Sequence, residues 1–295
     1  MADKRALLGL VGSRIARSLT PAMQEAAGRA AGIDVRYHLI DSHVLGLTAA
    51  DLPRVLDGVR LLGFAGVNIT HPFKEAVVQL LDSMEGAAGT VGAVNTVVVR
   101  DGRLIGHNTD HSGFLAAWKH AFPHRKPGRV ALIGAGGVGR AIAFGLLALD
   151  AEELRIVDLD RARAAALARS LAERYPEVEI AVPPDAEAAL SGADGMANAT
   201  PIGMHAYPGM PIPEGAMAGL SWVTDAVYTP LETPLIQVAR RAGLAILTGQ
   251  ELAIGQAVGA FALFFGIPAP IDVMRDALER EIGLGDAEAG RKKLF

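Results

Sequence analysis

The run "RVALIGAGGVGRAIAFGLLALDAEELRIVDLD", Arg129 to Asp160, constrains the fold more than any other part of the chain. It joins an apolar strand-like segment to a helix-like one through Gly134, Gly136 and Gly139, spaced G-x-G-x-x-G. A second apolar segment follows and ends at Asp158, roughly 20 residues on. A lone glycine pattern is weak. Strand, glycine turn, helix, strand and terminal acid together define a parallel βαβ unit of the dinucleotide-binding kind. The first glycine permits the tight turn, the second a close approach of backbone to a pyrophosphate, and the third close helix–strand packing. N–H groups at the helix start then face the phosphates. The loop Gly134, Ala135, Gly136, Gly137, Val138 and Gly139 is therefore the expected cofactor-binding stretch. An ordinary glycine turn in an α/β unit is the plainer alternative.

Asp158 suggests which cofactor. A carboxylate at that strand end accepts hydrogen bonds from ribose hydroxyls and repels a 2′-phosphate, which favours NAD. Asp160 adds to this, while Arg161 and Arg163 leave NADP open.

Strand-like and helix-like segments alternate along nearly the whole chain, which implies parallel sheets covered by helices on both faces. "RALLGLVG" reads as a strand, and "TPAMQEAAGRAAG" as a helix with Thr20 as cap and Pro21 at its first position. In "GFAGVNITHPFKEAV", a strand is followed by a helix expected over residues 72–84. "AVNTVVVRDGRLIGHNTD" reads as a hairpin turning at Asp101-Gly102, with a helix after it from about Asp110. "FPHRKPG" interrupts the alternation and reads as a linker or boundary loop.

The bulk numbers narrow the partners. At 295 residues, 51% of them hydrophobic, the chain can build about two domains. A net charge of −4 gives no reason to expect nucleic acid or an anionic membrane surface. The absence of cysteine excludes disulfides and thiolate metal sites, and suits a reducing, cytoplasmic compartment. The N-terminal residues lack the pattern of a signal peptide. Leu252 to Ile271 is uncharged and ~20 residues long, but Gln256, three glycines, Pro268 and Pro270 favour a buried helix ending near Gly266 over a membrane span.

The first half carries polar residues at segment ends: Ser18, Thr20, Asn68, Thr70, Lys74, Asn95, Thr96, Asn108, Thr109 and Asp110. Singly, each has a bland reading as a helix cap or a surface residue. Together, hydroxyls, amides, an ammonium and a carboxylate suit a polyhydroxylated acid. Hydride transfer from a carbinol to a nicotinamide needs a group that takes the hydroxyl proton. An ammonium beside a carboxylate serves once burial brings its pKa toward neutrality. Lys74 and Asp110 are the Lys/Asp pair at expected strand ends. His107 and His111 are rivals for that role, and no cluster suggests a metal.

These residues resemble the shikimate dehydrogenase family, and more closely its quinate/shikimate branch. The resemblance covers about Leu7 to Gly266 and rests on "SLTPAM", "GFAGVNITHPFKE", "GAVNTVV", "GHNTDHSGF", "LIGAGGVGRA", "NATPIGM", "DAVYTPLETPL" and "GQAVGAF". It implies Lys74 and Asp110 as the catalytic pair, the same two residues selected on chemical grounds. It implies substrate contacts from Ser18, Thr20, Thr70, Asn95, Tyr228 and Gln256, the carboxylate falling to Ser18, Thr20 and Tyr228. Thr200 and Gly249 join the implied cofactor set. C-terminal helices are expected to pack back on the first domain.

Two departures stand out. Ser18-Leu19-Thr20-Pro21 replaces the usual S-x-S-P, and "VDLDRAR" replaces an Asn-Arg-Thr/Ser piece that meets a 2′-phosphate. Both resemble NAD-dependent quinate/shikimate enzymes. The fold expected is α/β, with a substrate domain over 1–112 completed by 250–285, a Rossmann domain over 113–249, a tail over 286–295, and the active site in the cleft between domains. The function expected is reversible NAD-linked oxidation of shikimate or quinate to the 3-dehydro ketone, by a monomer or homodimer. An NADP-dependent biosynthetic enzyme, one acting on an aminoshikimate, and a non-catalytic ligand sensor remain as alternatives.

Overall fold

The computed structural model describes residues 4–292. Its contacts divide the chain into two compact units. Unit 1 comprises Met1–Thr109 with Gln256–Phe295, and unit 2 is Asp110–Gly255.

Unit 1 begins with β1 (Lys4–Gly12), α1 (Thr20–Ala30), β2 (Ile33–Asp41), α2 (Ser42–Leu45), α3 (Leu52–Leu61) and β3 (Phe64–Ile69). It continues with β4 (Ser83–Met84), α4 (Ala88–Val91), β5 (Thr96–Arg100) and β6 (Arg103–His107). The six strands form one sheet in the order β2-β1-β3-β5-β6-β4. The pairs β1–β2 and β1–β3 are parallel, while β5 runs antiparallel to both β3 and β6. Asp101 and Gly102, both at positive φ, turn the β5–β6 hairpin, as a two-residue primed turn requires.

Alternation along β1 sends Leu8 and Leu10 to one face and Val11 to the other. Leu52, Leu56 and Val59 of α3 share a helical stripe and cover the Val11 face.

The expected helix over 72–84 is absent. Residues 71–77 form turns, a short 3₁₀ turn spans Val78–Leu80, and β4 follows. The reason lies in the backbone hydrogen bonds. Val77 N–H donates to Phe73 at 3.0 Å, but the next rung fails: Lys74 C=O accepts from Val94 N–H at 2.8 Å, and Val78 N–H turns to Glu75. Lys74 is thus fastened to a distant segment by its own carbonyl. A second correction concerns Thr20, which is the first residue of α1 and not its cap; Leu19 holds that position without a side-chain bond.

Unit 2 contains most of α5 (Thr109–Ala121), then β7 (Arg129–Ile133), α6 (Gly137–Ala148), β8 (Glu153–Val157), α7 (Arg161–Arg174) and β9 (Glu179–Ala181). After these come α8 (Ala186–Leu190), β10 (Gly195–Asn198), β11 (Trp222–Asp225), α9 (Pro234–Arg241) and β12 (Ala245–Leu247). Its sheet runs β9-β8-β7-β10-β11-β12 and every pair is parallel. The order reverses between β7 and β10, which is where doubly wound sheets bind ligands. Ala131 and Ile133 join Met196, Val223 and Leu235 on one face. The segment Phe122–Gly128 lies inside unit 2. Trp118 Nε1 donates to Arg125 C=O, and Trp222 Nε1 donates to Pro127 C=O.

The chain ends with α10 (Gly249–Phe265) and α11 (Ile271–Lys292). Ala260 and Phe264 of α10 pack with Leu8, Leu10, Ile33 and Val35 of unit 1, and α11 packs on α1. Among the described residues no helix is long and apolar enough to cross a membrane. Of the expected tail over 286–295, residues 286–292 continue α11 and 293–295 lie outside the described residues.

Candidate active site

In unit 1, backbone bonds gather the strand ends that carry the polar residues. Ser13 N–H donates to His71 C=O, Thr70 N–H to Val11, and Ile69 N–H to Asn95. Asn95 N–H donates to His107 C=O at 3.2 Å. The loop that leads from β1 to Ser18 is held from β2. The Asp41 carboxylate, 7% exposed, accepts from the N–H groups of Arg14, Ile15 and His43 at 2.9–3.0 Å. Burial works against its charge, and these donors outweigh burial, so the carboxyl titrates below its usual range. The Ser18 hydroxyl accepts from Thr20 N–H at 3.4 Å.

A buried polar lattice lies behind these loops. Tyr37 O–H donates to Asn68 Oδ1 at 2.7 Å, and Asn68 Nδ2 donates to Thr96 Oγ1 at 3.0 Å. Asn95, 4% exposed, accepts through Oδ1 from Thr96 Oγ1, Thr109 Oγ1 and, at 2.7 Å, Thr109 N–H. The Asn95 side-chain oxygen is thus spent on donors of the protein itself. Asp110, the next residue after Thr109, lies in the first turn of α5. Burial holds the Tyr37 phenol well above its ordinary pKa and keeps it a donor.

Lys74, Thr70 and Gln256 are half-buried in unit 1. Asp110, Tyr228 and all the expected cofactor residues belong to unit 2. Burial lowers the pKa of both His107 and His111, and His107 Nε2 lies 3.9 Å from Glu85.

In unit 2 the glycines have the backbone geometry that a tight turn and close helix packing require. Gly134 has φ +101°, a conformation that L side chains rarely adopt, and a Cβ on Gly139 would lie 2.1 Å from the Gly134 carbonyl oxygen. Gly136, the N-cap of α6, faces open space, and α6 offers no acceptor to its first N–H groups at Gly137, Val138 and Gly139. An anionic diphosphate fits this cradle. Gly134 N–H is already bonded to Val157 C=O, and Ala135 N–H donates to Asp158 at 2.7 Å. Asp158 also accepts from Asp160 N–H, with Arg163 at 3.8 Å.

Thr200 is set by Asn198, whose Oδ1 accepts from the Thr200 N–H and hydroxyl. Asn198 Nδ2 donates to Asp225, which also accepts from Thr233 O–H at 2.6 Å and Val227 N–H. Asp225 is fully buried, and that burial pushes its carboxyl up although the three donors pull it down. Asn198 and Asp225 are register partners at the ends of β10 and β11. They fasten the loops that carry Thr200 and Tyr228, whose phenol burial also raises. Gly249 is buried at the start of α10. Sequence reasoning assigned no role to Tyr37, Asp41, Asn198, Asp225 or Thr233. At Asp41, Asn198 and Asp225 the available signal was a polar side chain closing a strand; Tyr37, in the middle of β2, and Thr233, ahead of α9, carried none.

A parallel sheet with a switch point, a glycine loop at a helix start and an acid on the next strand define a dinucleotide-binding protein. Comparison with known proteins narrows this. Residues 10–97 match the family model "Shikimate dehydrogenase substrate binding domain", and 251–279 match "Shikimate 5'-dehydrogenase C-terminal domain". The chain is 45% identical to the shikimate dehydrogenase (NADP+) of Pseudarthrobacter chlorophenolicus, over 91% of this chain and 92% of that one. It is 44% identical to the quinate/shikimate dehydrogenase (NAD+) of Corynebacterium efficiens, over 91% and 96%. The solved quinate dehydrogenase of Corynebacterium glutamicum in complex with NAD superposes with a TM-score of 0.87 at 42% identity, over 94% and 99%. The chain belongs to the shikimate dehydrogenase family.

Proposed function

We propose that this protein catalyses the reversible NAD-linked oxidation of a ring hydroxyl of shikimate or quinate to the 3-dehydro ketone. Unit 1 binds the acid and unit 2 the dinucleotide. The observation that carries the reading is the polar lattice of unit 1. It fixes Asn95 and the N–H of Thr109, one residue before Asp110, while Val94 fastens the backbone of Lys74. Ser18, Thr20 and Tyr228 hold the substrate carboxylate, and Thr70, Asn95, Asp110 and Gln256 its hydroxyls. A bound nicotinamide would supply the acceptor for the carbinol hydride. Lys74 takes the proton that leaves the hydroxyl oxygen as the C=O bond forms, and returns it in the reverse direction. Asp110 balances the charge on Lys74. The first turn of α6 and the loop from Gly134 to Gly139 hold the diphosphate, Thr200 and Gly249 line the cofactor, and Asp158 accepts from the ribose hydroxyls.

NADP is the second reading. Arg163 lies beside both Asp158 and Asp160, so it is placed to turn toward a 2′-phosphate. Assaying both acids against both cofactors separates the two. The expected result is turnover with NAD on either acid, and a higher NAD KM in Asp158→Ala; preference for NADP reverses the cofactor assignment. Lys74→Ala is expected to lower kcat by about 10²–10⁴ with little change in substrate affinity. Near-normal kcat removes Lys74 from the mechanism.

A further inference from the structure

Gln24 lies on α1, four residues after Thr20, so the two share a helix face. It is fully buried. Its Nε2 donates to the C=O of Ala257 at 2.9 Å, joining residues 233 apart in sequence. Ala257 sits within α10, next to Gln256. The other end of the amide, Oε1, is buried without a hydrogen-bond partner among the described residues.

This arrangement is poorly suited to stability alone. A buried acceptor without a donor carries its full desolvation cost, which an apolar side chain of similar volume avoids. Methionine would fill the same space without that cost. What the amide supplies, and methionine cannot, is a directed donor to one carbonyl of α10. That bond ties α1 to α10 one residue from Gln256, from the face of α1 that also carries Thr20.

We infer that Gln24 is a positioning residue that acts through α10 to keep Gln256 on the substrate ring while Thr20 holds the carboxylate. This rests on the proposed role of Gln256. Gln24 touches no reacting atom. Its loss therefore changes how the acid is held and leaves NAD binding alone.

The test is a double-mutant cycle in the full-length protein with Gln24→Met, Gln256→Ala and the pair, assayed with quinate and shikimate at saturating NAD. Gln24→Met is expected to raise the KM for the acid about five- to tenfold, with the NAD KM unchanged and the melting temperature equal or higher. In the Gln256→Ala background it is expected to add nothing. If Gln24→Met does not fold, Gln24→Asn, which withdraws the donor by one methylene, gives the same reading. An unchanged acid KM in Gln24→Met overturns the inference. So does an equal rise in both backgrounds, because Gln24 then acts without Gln256. An unchanged acid KM in Gln256→Ala alone overturns the proposed role of Gln256 and the inference with it.

Discussion

Two buried carboxyls show how one residue type is driven opposite ways. Asp41 is desolvated, yet three backbone N–H groups overcome that and lower its pKa. Asp225 meets three donors as well, but complete burial wins and its pKa rises. The consequences for stability have opposite signs. Asp41 contributes stability that is present above its unfolded pKa and is lost as pH falls through the lower folded value. For Asp225, stability falls as pH climbs from its unfolded value through the raised one. Asp41→Asn replaces an acceptor by a donor facing N–H groups. Urea unfolding is therefore expected to show a clear loss at pH 7 that narrows toward pH 3, as wild type loses its own carboxylate. A gap independent of pH would mean that the charge of Asp41 is unimportant. Neither effect was legible in the sequence. A lone aspartate at a strand end does not reveal how deeply the fold covers it.

At the scale of elements, local and distant bonds differ in what a sequence discloses. The loop between β7 and α6 was readable because strand, turn, helix and next strand are contiguous and the backbone alone dictates the glycines. Gly139→Ala tests this. Its Cβ would meet a backbone oxygen that cannot swing aside, so the loop or α6 must move. A loss of about 1–3 kcal/mol is expected, with a marked rise in the NAD KM; calorimetry and steady-state kinetics measure the two. Wild-type behaviour would show that the loop yields easily. The segment after β3 was misread for the opposite reason. "HPFKEAVVQL" has local helical character, but Lys74 C=O is claimed by Val94, twenty residues on. The lattice from Tyr37 to Thr109 needs the antiparallel register that sets Asn68 opposite Thr96, and Gln24 needs α10. Such partners follow from strand order and helix docking, which residue spacing does not encode.

At the scale of the whole molecule, each unit has its own sheet and its own proposed ligand. Hydrogen exchange with each ligand added alone is expected to separate them. NAD should protect 134–139 and 198–203. Quinate or shikimate should protect 12–20, 68–75 and 93–96. For amides that exchange only after the ligand leaves, ligand at 100 times its Kd slows exchange by about 100-fold. Protection by NAD at the strand ends of unit 1 alone would contradict the assignment of roles. The two units also differ in how the chain supplies them. Unit 2 is one continuous run, whereas unit 1 needs α10 to cover the face of Leu8, Leu10 and Ile33, and α11 to cover α1. On the ribosome, the first sheet must therefore wait while the whole intervening unit is made, roughly 10–30 s at ~5–20 residues per second. During that interval the nascent chain carries an uncovered apolar surface, a natural target for chaperones, and its synthesis favours completing the nucleotide-binding half first.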